Sequence, residues 1–407
     1  MFQVLGHRVY RHLFMAQVIA LIGTGLTTVA LALLAHELAA GQAGVVLGTA
    51  LAIKMVAYVI IAPLVGAYAA RLPRRALLIS LDLIRGTVVC ALPFVSRIEH
   101  IYLLIFLLNA CSAGFTPVFQ ATIPDILKKE ADYTQALSLS RLAYDLENLL
   151  SPVVAAALLT LLSFNVLFVL NALAFVGSAA LVASVALPAA CLKADAPTVW
   201  KRITYGLRVY LQTPRLRGLL ALSLAVSAAG AMQIVNTVVY VRSSLGLGER
   251  DVAIAFAAAG AGSMLVALLL PKILGRVTIR ATMLVGGVLL TLGLYLGLLT
   301  PAYLELLGLW AMLGAGAALI LTPSGHLLKQ SCLAEERPAL FAAQFSLSHA
   351  CWLVTYPLAG WLGATIGVAY TFAVLGSVAL LACVAAVITW PSHDPERTQP
   401  AASSLRP

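Results

Sequence analysis

Six ionisable residues sit inside long apolar stretches of this 407-residue chain: Lys54, Asp82, Arg85, Arg141, Asp145 and Glu147. A charge at the centre of a membrane helix costs about 2.5–3.5 kcal/mol on insertion scales, so those that persist face a cavity, pair with one another or take part in moving an ion. Three of the six are positive and three negative, and all fall in the first half of the chain. At about 100° per residue, Arg141, Asp145, Asn148 and Pro152 share one stripe of a helix, with Arg141 and Asp145 as i,i+4 neighbours. Glu147 points about 160° away from Asp145, on the side of Ser140, Tyr144 and Ser151, and no cation stands three or four positions from it. Its counterion must come from another helix. Lys54, deep in the second apolar stretch, is available either to Glu147 or to an anionic substrate. Asp82 and Arg85, three positions apart, read as a local latch. Glu147, then Asp145 and Asp82, are therefore the candidates to carry a proton, with Lys54, Arg85 and Arg141 as charge partners.

The uncharged polar residues in these stretches, Thr24, Thr28, Asn109, Tyr144, Asn148, Gln233, Asn236 and the weakly basic His349, are candidates to line a substrate cavity. His349 and Cys351 point about 160° apart on a helix, so they cannot share a metal without partners from other helices. The six cysteines show no CxxC spacing, which argues against a zinc site or a disulfide framework. No GxxxxGK[ST] phosphate loop, dinucleotide fingerprint or nucleophile-base-acid constellation is present, so neither an enzyme nor a resident cofactor is expected.

The elements that hold these residues follow from composition. Hydrophobic residues make up 61% of the chain and charged ones 10%, against roughly 25% charged in soluble domains, which excludes a soluble globular enzyme. Apolar stretches long enough to cross a bilayer cover 13–34, 45–70, 76–95, 101–123, 136–162 and 166–187, then 216–241, 252–274, 281–299, 303–328, 339–362 and 366–388. Twelve helical spans put both termini on one side. Of 26 Lys and Arg residues, twenty lie on that side, Arg97, Arg242 and Arg250 on the other, and three inside spans, so the termini are expected to be cytoplasmic. That distribution also assigns the +10 net charge to inner loops facing a lipid bilayer rather than to a nucleic-acid surface. The expected organisation is an N-terminal six-helix bundle (1–190), a cytoplasmic linker (191–215), a C-terminal six-helix bundle (216–390) and a disordered tail (391–407). Trp200, Ile203, Leu207 and Tyr210 recur at helical spacing opposite Lys201, Arg202 and Arg208, a pattern suited to a short helix on an anionic membrane surface, or to a solvated basic loop.

The halves match each other at an offset of 205 or 206. Arg71, Arg75 and Ala76 fall on Arg276, Arg280 and Ala281; Thr116-Pro117 on Thr322-Pro323; Pro152 on Pro357; Gly25 on Gly230. Six helices is an even number, so the duplication is a parallel repeat about an axis along the membrane normal.

With this repeat, the chain resembles the major facilitator superfamily over its whole length. It is most similar to the bacterial exporter branch of macrolide and siderophore efflux proteins, through His7-Arg8-Val9-Tyr10-Arg11, the run from Gly66 through Arg71, Leu72 and Pro73 to Arg74-Arg75, and Pro124-Asp125. A narrower likeness to nickel-resistance exporters runs through 138–145 and 109–114. The resemblance implies a secondary transporter, with Gly66, Arg71, Arg74 and Arg75 at a cytoplasmic gate. The chain departs from the family pattern at Ala70, where an Asp is usual, and at Pro73, where a Gly is usual; Asp82 is a possible replacement partner in the gate's ion pair. The reading that follows is a monomeric, proton-coupled exporter of a small toxic solute in the bacterial inner membrane. Its substrate and partners would be a small molecule or ion and protons. Specific nickel or cobalt efflux, solute import, and a non-transporting sensor or assembly protein on the same scaffold remain as alternatives.

Overall fold

A computed structural model describes residues 2–39, 43–69, 72–188 and 199–392. Arg71 and nearly all of the 391–407 tail lie outside the described residues. The first repeat holds α1 (Arg8–Ala39), α2 (Ala43–Ala69), α3 (Arg74–Ala91), α4 (Ile98–Ile126), α5 (Glu130–Leu159) and α6 (Phe164–Ala183). After α7 (Val199–Gln212) come α8 (Pro214–Val239), α9 (Glu249–Leu274), α10 (Ile279–Gly297), α11 (Tyr303–Leu321), the short α12 (Ser324–Gln330), α13 (Arg337–Thr365) and α14 (Val368–Thr389). Eleven helices among the described residues are long and apolar enough to cross a membrane. The 29-residue α13 is long enough too, but Gln344, Ser346, Ser348 and His349 interrupt its apolar run; in the second repeat it holds the place of α5. Large apolar side chains such as Val153, Leu173, Leu265, Val288, Val354 and Leu381 stand more than half exposed, as lipid-facing helices require because lipid, not protein, covers them.

By internal packing the chain forms two compact units, one of 1–136, 143–206 and 341–349, the other of 137–142, 207–340 and 350–407. In the first unit α1 packs on α6, α2 on α4, and α3 on both α4 and α6; in the second α8 packs on α14, α9 on α11, and α10 on both α11 and α14. A shift of 205 residues turns one list into the other. The repeat extends to single hydrogen bonds. Arg75 donates to the Ala183 carbonyl at the end of α6, and Arg280 Nε donates to the Trp390 carbonyl that ends α14, at 2.9 Å. Each guanidinium serves carbonyls that a helix C-terminus leaves unpaired, at the negative end of its dipole.

One sequence expectation changes, and one is only partly visible. The stretch 303–328 is not one helix: α11 ends before Pro323, whose missing N–H interrupts the ladder, whereas Pro117 sits inside a continuous α4. In α7, Tyr210 is fully buried while Lys201, Tyr205, Arg208 and Leu211 are exposed. Of the expected stripe, Tyr210 is carried into protein and Leu207 is half-buried; the side chains of Trp200 and Ile203 lie outside the described ones.

Close approach of α9 and α11 depends on two glycines. A Cβ on Gly262 would strike the Ala311 carbonyl, and one on Gly314 the Ala259 carbonyl. Gly314→Ala is expected to destabilise by about 1–3 kcal/mol, the usual range for overpacking, measured by thermal unfolding in detergent. Gly308→Ala, where nothing lies within 4 Å, should leave the midpoint unchanged or raise it.

Candidate functional site

Glu147 lies on the middle of α5, against α1. A Cβ on Gly25 would strike the Ser151 side chain and stand 3.0 Å from Glu147 Oε1, so the glycine makes room first for Ser151 and leaves the carboxylate close against α1. Lys54 of α2 is the charge that acts on Glu147, and it acts on His349 as well. Its ammonium stands 5.6 Å from the centre of the Tyr58 ring, one turn along α2. Residues 341–349 of α13, which belong to the same unit, close the group. Tyr58 meets Phe345 at 4.9 Å and His349 edge-on at 4.7 Å. His349 Nδ1 lies 2.7 Å from the Phe345 carbonyl. Tyr144, one turn before Glu147, reaches Gln17 of α1 through its hydroxyl and is electrostatically coupled to Tyr58 and Glu147. The result is one carboxylate and one ammonium among four rings.

Asp82 and Arg85 form a second group, on α3. Asp82 is fully buried, paired with Arg85, and accepts a 2.7 Å hydrogen bond from Ser178 Oγ on α6. The Arg85 guanidinium lies 4.2 Å from the Phe115 ring centre and 4.5 Å from that of Phe175, a double cation–π contact. The pair that their spacing suggests is thus made within α3 and braced by Ser178 and the two rings.

At the α3 entrance, Arg74 is bound to Asp125 of α4 at 2.5 Å, with side chains 5% and 12% exposed. Asp125 is thus the acid that meets Arg74, while Asp82 is paired with Arg85. Gly66 is buried on α2.

The remaining candidates are scattered. Thr24 donates to the Ala20 carbonyl, Thr28 to that of Thr24 and Asn109 to that of Ile105, so those donors are spent on their own helices. Gln233 and Asn236, both of the second unit, donate to the carbonyls of Trp310 and Ala359 at 3.2 Å each. Asn148 is exposed, Asp145 is 4% exposed, and Arg141 Nε donates to Ser263 Oγ of α9 at 2.8 Å. Sequence reasoning named Lys54, Tyr144, Glu147 and His349 but missed Tyr58, Phe345 and Gln17. Tyr58 was within reach, because it follows Lys54 at i+4.

The sequence pattern of the Major Facilitator Superfamily matches residues 13–294 and 219–407. The chain belongs to that superfamily. The human organic anion transporter MFSD10 (TETRAN) shares its fold with a TM-score of 0.79 at 15% identity, over 93% of this chain and 99% of that one. A bacterial homologue of the iron transporter ferroportin, in an outward-facing state, gives 0.77 at 15% identity, over 94% and 99%. No curated protein sequence matches. Membership makes the chain a secondary transporter of a small molecule or ion rather than an enzyme.

Proposed function

We propose that this chain is a proton-coupled exporter that moves a small organic solute by alternating access, as a monomer in the bacterial inner membrane with both termini and the 191–215 linker cytoplasmic. The observation that carries the reading is the placement of Glu147: a membrane carboxylate beside Gly25 of α1, with Lys54 acting on it from α2. Antiport follows where bound solute and bound proton exclude one another, most directly by sharing one place. A solute seated against the rings beside Glu147 drives off its proton, and Lys54 is ready to neutralise the carboxylate when both have left. The rings of Tyr58, Tyr144 and Phe345 suit an organic solute of aromatic or cationic character. Specific nickel or cobalt efflux has less support, because among the described residues no three His, Cys, Asp or Glu side chains converge.

The test is a growth screen of an expressing strain against antibiotics, siderophore overload, nickel and cobalt, followed by efflux measurements on the compound it selects. Lower cellular accumulation that an uncoupler abolishes supports the proposal. Tolerance to metals alone would shift it to metal efflux, and no change for any compound in a strain with verified expression would favour a sensor or assembly role.

A further inference from the structure

Pro63 lies inside α2. Having no N–H, it leaves the carbonyl of the residue four positions earlier, Val59, without its helical donor. Inside a membrane that carbonyl has no water to turn to, and an unmet backbone group costs several kcal/mol. Ser346 of α13 supplies the missing donor: its Oγ donates to the Val59 carbonyl at 2.6 Å. Ser346 lies between Phe345 and His349, and Val59 follows Tyr58, so this one bond sets the register at which the two α13 rings meet Tyr58.

The second repeat carries a counterpart. Shifting by 205 residues places Arg141 on Ser346 and Tyr58 on Ser263, and Arg141 Nε donates to Ser263 Oγ at 2.8 Å. The helices concerned are the ones divided between packing units: 137–142 of α5 belongs to the second unit and 341–349 of α13 to the first. Each exchanged segment thus holds, at the same repeat position, a polar contact to the second helix of the repeat it visits.

We infer that Ser346 is a positioning residue that clasps α13 to the proline-freed carbonyl of α2, and that breaking this clasp loosens α13 at the Tyr58, Phe345 and His349 rings. A serine that only filled space would not care whether residue 63 is a proline.

The experiment uses the full chain in proteoliposomes with a reporter Ala342→Cys, a fully buried position one turn before Ser346, and a membrane-impermeant maleimide; the chain without the reporter gives the background. Ser346→Ala should raise the reporter's labelling rate about two- to tenfold, the factor that the net contribution of one hydrogen bond allows. Ser346→Thr, which keeps the hydroxyl, should label like the parent. Pro63→Ala restores a donor within α2, so in that background Ser346→Ala should change labelling by less than half as much on a logarithmic scale. Equal effects in the two backgrounds, or an unchanged rate for Ser346→Ala in the parent, would overturn the clasp. The readout involves neither solute nor proton flux, so a negative result leaves the reading of Glu147 standing.

Discussion

Glu147→Gln is expected to reduce gradient-driven accumulation to equilibration while sparing solute binding and downhill exchange. Glutamine keeps the shape and the hydrogen-bonding reach of the carboxyl group and removes only its exchangeable charge. The site would then still alternate, because Lys54, Tyr58, Tyr144 and the α13 rings remain, but the solute would no longer trade places with a proton. Counterflow of a labelled solute in proteoliposomes without a gradient should persist, and imposing a pH difference should add nothing to it. Lys54→Ala offers the complementary readout: without the ammonium nothing neutralises the vacated carboxylate, so efflux should slow while counterflow without a gradient persists. If Glu147→Gln still pumps uphill with an unchanged pH profile, the carboxylate is structural and coupling must reside at Asp145 or Asp82.

Asp82→Ala is expected to be the most destabilising single change, costing about 3–5 kcal/mol, because it leaves Arg85 buried and charged without its carboxylate. The second repeat shows what the same place looks like without ions. At the offset of 205, Asp82, Arg85 and Ser178 become Gly287, Leu290 and Cys383, and Gly287 packs directly against Cys383 and Leu222. A triple change of Asp82→Gly, Arg85→Leu and Ser178→Cys should therefore recover most of the stability lost by Asp82→Ala, as replacing a buried ion pair by apolar residues often does. Unfolding midpoints in detergent decide it. If the triple variant is no more stable than Asp82→Ala, the charges are needed for folding rather than merely tolerated.

Much of the fold was legible in the residues themselves. Apolar length gives the spans, and Arg75 with Arg280 marked a repeat that proves to extend to the carbonyls they serve. Helical angles separate Glu147 from the Asp145 stripe and leave its counterion to another helix, and the charge that acts on it comes from Lys54 of α2. Other features depend on contacts that no spacing encodes. Asp125 lies 51 positions from Arg74, and their pairing exists only once α3 and α4 pack. The apolar stripe of α7 was visible, but not which surface would cover it, since lipid and protein are equally apolar partners. Ser346 carried a signal that went unread: a proline within a membrane helix announces an orphan carbonyl four residues earlier, and a hydroxyl elsewhere must be sought for it.

The place in the second repeat that answers to Glu147 is held by Trp352, and a Cβ on Gly230, the counterpart of Gly25, would collide with its indole. The duplication thus left two equivalent niches, one holding an acid and the other filled by a ring that cannot ionise. On the proposed coupling, this fixes a stoichiometry: one proton, not two, passes through this pair of positions per cycle. Export of an uncharged solute would then be electrogenic and capped by the work of a single charge, about 2.3 kcal/mol for each 100 mV of membrane potential, together with whatever the pH difference adds.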